Sequence, residues 1–90
     1  MNRERRKRIA KAYGLIEEAK VILEEVKEDE TEAYDNLPES FQNGDRGEEM
    51  QGYIEMLDEA YNYLDDASSI VDQIYLRVKS SLPSEARQKK

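Results

Sequence analysis

The stretch that decides the fold is Asn36-Leu37-Pro38-Glu39-Ser40-Phe41-Gln42-Asn43-Gly44-Asp45-Arg46-Gly47-Glu48. It holds one of the chain's two prolines and two of its four glycines, so a long helix cannot pass through it undisturbed. Asn36 reads as an N-cap with Glu39 three residues on, a capping-box pattern. The short helical turn it would start, over 38–42, ends at Asn43-Gly44. Asp45 then offers a second cap, with Glu48 three residues on. Leu37 and Phe41 are placed to plug the corner. The segment is a turn between two helices.

Outward from that corner the sequence falls into sevens on both sides. Upstream, with Ile9 as position a, Ile16, Leu23, Glu30 and Leu37 also fall at a, and Ala12, Ala19, Val26 and Ala33 at d. Tyr13, Leu15, Ile22 and Tyr34 lie at the flanking e and g positions, and most intervening residues are Glu or Lys, good helix formers. Downstream, Met50, Leu57, Leu64, Val71 and Val78 fall at a, and Tyr53, Ala60, Ala67 and Ile74 at d. There the e positions carry Ile54, Tyr61, Tyr75 and Leu82, and the g positions Met56, Tyr63 and Ile70. Pro83 is the expected stop, because the residue before a proline resists the helical region. The reading is therefore an all-α fold: an antiparallel two-helix hairpin with a short capped helical connector. Its one domain, 1–90, has helix one at about 2–34, the connector at about 35–47, helix two at about 48–82 and a fraying tail at 83–90.

The width of the apolar face bears on assembly. A two-stranded seam needs only a and d, whereas helix two is apolar at g, a, d and e, a stripe that asks for more than one neighbour. A homo-oligomer is expected, with a dimer forming a four-helix bundle favoured and a higher oligomer as the alternative.

Composition removes much chemistry. The chain has 90 residues, 39% of them charged, with no Cys, His or Trp. No disulfide, thiolate nucleophile or thiolate metal site can form, and the usual neutral-pH base is missing. No apolar run is long enough for a secretory core or a membrane span. A cytoplasmic protein, in a bacterial host, is the expectation.

The formal charge of −7 conceals a separation. Residues 1–11 sum to +5, residues 77–90 to +4, and residues 12–76 to −16. An antiparallel hairpin brings the two basic ends together over an acidic shaft. Arg3, Arg5, Arg6, Lys7 and Arg8 sit where a helix N-terminus disfavours cations. Arg5, Arg6, Arg8 and Arg77 border the seam in this register, with Tyr13 and Tyr75 on the same side. Guanidinium groups beside aromatic rings can hold a phosphate and stack a base, so these six residues are the candidate ligand site for a small anionic nucleotide. A solvated or ion-paired tip is the simpler alternative, and an acidic protein partner a third. Long nucleic acid is disfavoured, because the shaft would repel it.

Catalytic templates fail. Glu25-Val26-Lys27-Glu28 and Glu55-Met56-Leu57-Asp58 form an E-x-x-E and E-x-x-D pair, as in the all-α nucleoside triphosphate pyrophosphohydrolases that hold Mg²⁺. In this register all four acids face water. The glycines lack phosphate-loop spacing, and no base is available to activate a serine. Neither enzyme activity nor a cofactor or metal is expected.

The run Glu32-Ala33-Tyr34-Asp35-Asn36-Leu37-Pro38-Glu39-Ser40-Phe41-Gln42, followed by Arg46-Gly47-Glu48-Glu49-Met50, resembles a group of small acidic helical proteins from phages and mobile elements of Gram-positive bacteria. In that group an E-x-x-A-[YF]-D-N-L-P-E-S-x-Q segment joins two Glu-rich helices, and the resemblance spans nearly the whole chain. It implies genomic context more than mechanism, and it marks Asp35, Asn36, Glu39, Gln42 and Arg46 as a second candidate site, for which capping is the simpler explanation. Small phage proteins of this size often counter host immunity. The expected function is thus a non-enzymatic anti-defence protein that sequesters an anionic nucleotide signal at its basic pole. The alternative is an inhibitor or adaptor that turns its acidic shaft against a host defence protein.

Overall fold

A computed structural model describes the backbone of residues 1–88 and the side chains of residues 1–77. The chain is all-helical over those residues, in the order α1 (Arg3–Asp35), α2 (Glu39–Gln42) and α3 (Asp45–Gln88). α1 and α3 pack antiparallel into a rod of 71 × 17 × 14 Å, with α2 across the turn. The radius of gyration is 20.3 Å, against roughly 12 Å for a compact domain of this length.

Local chemistry starts and stops the helices, though not always where the sequence pattern puts the caps. Asn2 caps α1: its Oδ1 accepts from Arg5 N at 2.8 Å. Asn36 is not an N-cap. It is the C-cap of α1, with its N–H donating to Glu32 O at 3.0 Å. Pro38 occupies the N-cap of α2 and makes no side-chain cap bond; its fixed φ suits a helix entry. Asp45 is already the first residue of α3, and Gly44 supplies the carbonyl that accepts from Glu48 N at 3.0 Å. α3 also runs through Pro83 to Gln88 rather than stopping before it. A proline removes one backbone donor from a helix and crowds the preceding turn, which bends a helix more readily than it forbids one. The expected seam places of Val78 and Leu82 and the packing of the 83–90 tail lie outside the described side chains.

The seam itself is rotated from the expected a/d line. Four cross-helix hydrogen bonds set one antiparallel register: Glu17 with Ser68, Lys20 with Asp65, Lys27 with Asp58, and Tyr34 with Gln51. Each joins an e position to a b position. Residues at a, such as Ile9, Ile16, Leu23, Leu57, Leu64 and Val71, are half-buried beside them. Position d is only partly covered, since Val26 and Tyr53 remain 45% and 50% exposed. The core is accordingly thin. Among the described residues, Gly47, Met50 and Ser68 alone are buried.

Candidate functional site

The sequence pattern gathers six residues at the basic pole, and the structure spreads them over two flanks of the hairpin. Arg5 and Arg8 line one opening with Met1 and Ile9, of about 420 Å³. Arg77 lines a neighbouring one of about 260 Å³ with Met1, Ile70, Gln73 and Ile74. Met1 is common to both, so Arg5, Arg8 and Arg77 share the flank formed by d and g positions. Tyr13 and Tyr75 come together on the other flank, with Ala10 and Asp72, around a smaller opening of about 170 Å³. Arg6 is tied to its own N-terminus, Nη1 donating to the Met1 carbonyl at 3.1 Å. Helical geometry accounts for the split, because e and b lie on one side of the a-centred seam and d and g on the other.

The second candidate site is a structural corner. Gln42 Nε2 donates to the carbonyls of Tyr34 at 3.1 Å, Asp35 at 3.4 Å and Leu37 at 3.1 Å. One side-chain amide thus ties the Tyr34 and Asp35 carbonyls at the end of α1 to the Leu37 carbonyl of the connector, adding to the bond that Tyr34 O accepts from Leu37 N. Asn36 supplies the backbone C-cap. Asp35, Glu39 and Arg46 are exposed around this corner, and none takes part in an ion pair among the described residues.

Two features escape a reading of the sequence alone. Gly47 is buried where α3 crosses the end of α2. A β-carbon there would lie 2.0 Å from the Gln42 carbonyl oxygen, so this position needs glycine for close approach, not for a special φ. The other feature is a polar clamp along the e/b flank. Ser68, 4% exposed, donates to the Glu17 carboxylate, which also accepts from Lys20 at 3.2 Å. The Ser68 hydroxyl, with help from Lys20, holds the Glu17 carboxyl below its ordinary range. Lys20 also meets Asp65 at 2.8 Å and sits 5.5 Å from the centre of the Tyr61 ring. Lys27 meets Asp58 at 2.8 Å. Asp65 raises the Lys20 ammonium and Asp58 that of Lys27. The visible signal is a serine at an otherwise apolar e position, with lysines at e on the facing helix.

Of the four acids in the paired E-x-x-E and E-x-x-D pattern, Glu25, Glu28 and Glu55 are exposed. Asp58 departs from its expected place in water: it is half-buried at the seam, because Lys27 reaches it there. No group of three or more acidic side chains among the described residues is arranged to hold a metal ion. Nor, among those residues, is any helix long and apolar enough to cross a membrane.

On the d/g flank, opposite the clamp, the hairpin is open and apolar. Leu15, Ile22, Val26, Tyr53, Met56, Tyr63 and Ile70 are all between 45% and 66% exposed. A groove of about 350 Å³ runs along it, lined by Val26, Glu30, Tyr53, Met56 and Leu57. Comparison with protein-family models, curated proteins and solved structures finds no match to the chain.

Proposed function

We propose that the chain is a non-enzymatic binding protein that assembles as a four-helix bundle of two hairpins and engages a basic surface of a partner protein with its acidic shaft. What supports this reading is the disposition of charge. Lys20 and Lys27 are both occupied at the seam. Glu24, Glu25, Glu28, Glu55, Glu59 and Asp66 stand exposed, with no ion pair to any of them among the described residues. A rod that carries such an array attracts a basic surface much as a nucleic acid does. The connector's resemblance to phage and mobile-element proteins makes a host defence protein in the bacterial cytoplasm the proposed target. Affinity capture from a Gram-positive lysate tests this. A stoichiometric, salt-sensitive protein should be retained by the native chain and lost by the double variant Glu25→Lys plus Glu28→Lys. Retention indifferent to that reversal sinks the reading.

Capture of a small anionic nucleotide at the basic pole is the second reading. It is favoured by the absence, among the described residues, of any ion pair to Arg5, Arg8 or Arg77. It stands second because the expected ligands lie on two flanks, and because Asp72 lines the Tyr13–Tyr75 opening, where it would repel a phosphate. A thermal shift with cyclic or ADP-ribose-type nucleotides, abolished by Arg5→Glu plus Arg6→Glu, would move it to first place.

A further inference from the structure

The open d/g flank reads as half of an interface, and the charge at its ends identifies the other half. The protomer exposes 7049 Å², whereas a compact monomer of 10.5 kDa exposes roughly 5,400 Å². The seven half-exposed apolar side chains of this flank leave on the order of 100 Å² each. Together they approach the roughly 800 Å² that one partner contributes to a standard interface.

The exposed g positions follow one order on each helix. Along α1 they read Arg8, Leu15, Ile22, Asp29; along α3 they read Glu49, Met56, Tyr63, Ile70, Arg77. Each ladder is cationic at the open end of the hairpin, apolar through its middle and anionic toward the connector. Arg8, Asp29, Glu49 and Arg77 are all exposed, and none has an ion pair within the protomer among the described residues. The α3 ladder is complementary to its own reverse about Tyr63.

We propose that the d/g flank binds a second copy of this chain face to face with the rods antiparallel, so that each basic pole lies over the acidic connector end of its partner. Arg77 then meets the partner's Glu49, with the two-fold at the level of Tyr63 and Ile22, which lie at one height in the hairpin register. Met56 packs over the partner's Ile70, while Tyr63 and Ile22 cross the partner's Tyr63 and the partner's Ile22 at the centre. The opposite orientation, with both poles at one end, sets Arg8 against the partner's Arg77 and stacks like charge on like. Electrostatics selects the antiparallel pairing, while apolar burial supplies the attraction. This pairing rests on the four-helix reading and adds to it the face and the direction.

The chain has no cysteine, so one introduced at the centre reports geometry directly. Light scattering on the purified protein tests the four-helix reading itself: twice 10.5 kDa is expected, and a monomer at high micromolar concentration overturns both. Orientation is tested separately with Tyr63→Cys, which should oxidise to a covalent dimer nearly to completion in the antiparallel pair. A dimer of the expected mass in which the introduced thiols stay unlinked overturns the orientation and leaves the four-helix reading intact. A charge exchange checks this without touching the centre. Arg77→Glu alone should weaken dimerisation at least several-fold, and Arg77→Glu with Glu49→Arg should restore it. Failure of the exchange to restore overturns the Arg77–Glu49 pairing.

Discussion

Lys20 Nζ stands 2.8 Å from Asp65 Oδ1 on the facing helix, and at 12% exposure it is the most enclosed cation of the three ion pairs. Its e position places it against a b position of α3, so this one pair records the rotation of the whole seam. Exchanging the two residues, Lys20→Asp with Asp65→Lys, should preserve the melting temperature better than either single change. A double variant no more stable than the worse single one would show that the pair does not hold the register.

Two glycines on the helices should respond to alanine in opposite directions. Gly47 has the Gln42 backbone where a β-carbon would go. Gly47→Ala must therefore push α2 away from α3, at a cost of about 1–3 kcal/mol. At Gly14 the place a β-carbon would take has nothing within 4 Å, so Gly14→Ala should stabilise by about 1 kcal/mol through helix propensity alone. Urea midpoints of the two variants, on either side of the native value, check the pair.

Gln42 closes the end of α1 with an amide that only donates there. Gln42→Ala should destabilise by about 1–2 kcal/mol, because the carbonyls it serves lose a partner. Gln42→Glu should cost at least as much, since a carboxylate cannot donate to them. Amide exchange should rise at the last turn of α1 before it rises elsewhere.

Charge at the clamp sets the pH window of stability. The Glu17 carboxyl is held below its ordinary 4.5 in the folded chain. Its contribution is present above that value and is lost as pH falls through the lower folded one. Lys20 and Lys27 are raised above their ordinary 10.5. Their contribution is intact below 10.5 and is lost as pH rises through the folded values. Denaturant midpoints should therefore be flat across neutral pH as far as these three groups are concerned. Ser68→Ala should return the Glu17 titration, followed by carboxylate NMR, toward its ordinary value.

Sequence periodicity sufficed for the two long helices, and the Pro38 to Gly47 punctuation for the corner between them. It located the opposed charges, since α1 and α3 bring residues 1–11 and residue 77 to one end. It did not say which part of each apolar stripe would face the other helix. Both stripes are wider than one neighbour can cover, so periodicity alone leaves the angle of the seam open. The choice fell to side chains that meet only in three dimensions: Lys20 and Lys27 reach Asp65 and Asp58, and Ser68 reaches Glu17. Those bonds bridge the helices along the e/b flank, while Leu15, Ile22, Met56, Tyr63 and Ile70 stand in the open on the other. The same rotation separates Arg5, Arg8 and Arg77 from Tyr13 and Tyr75. A heptad pattern specifies how often apolar residues return along a helix, whereas the angle at which two such helices meet depends on pair contacts between residues distant in the chain.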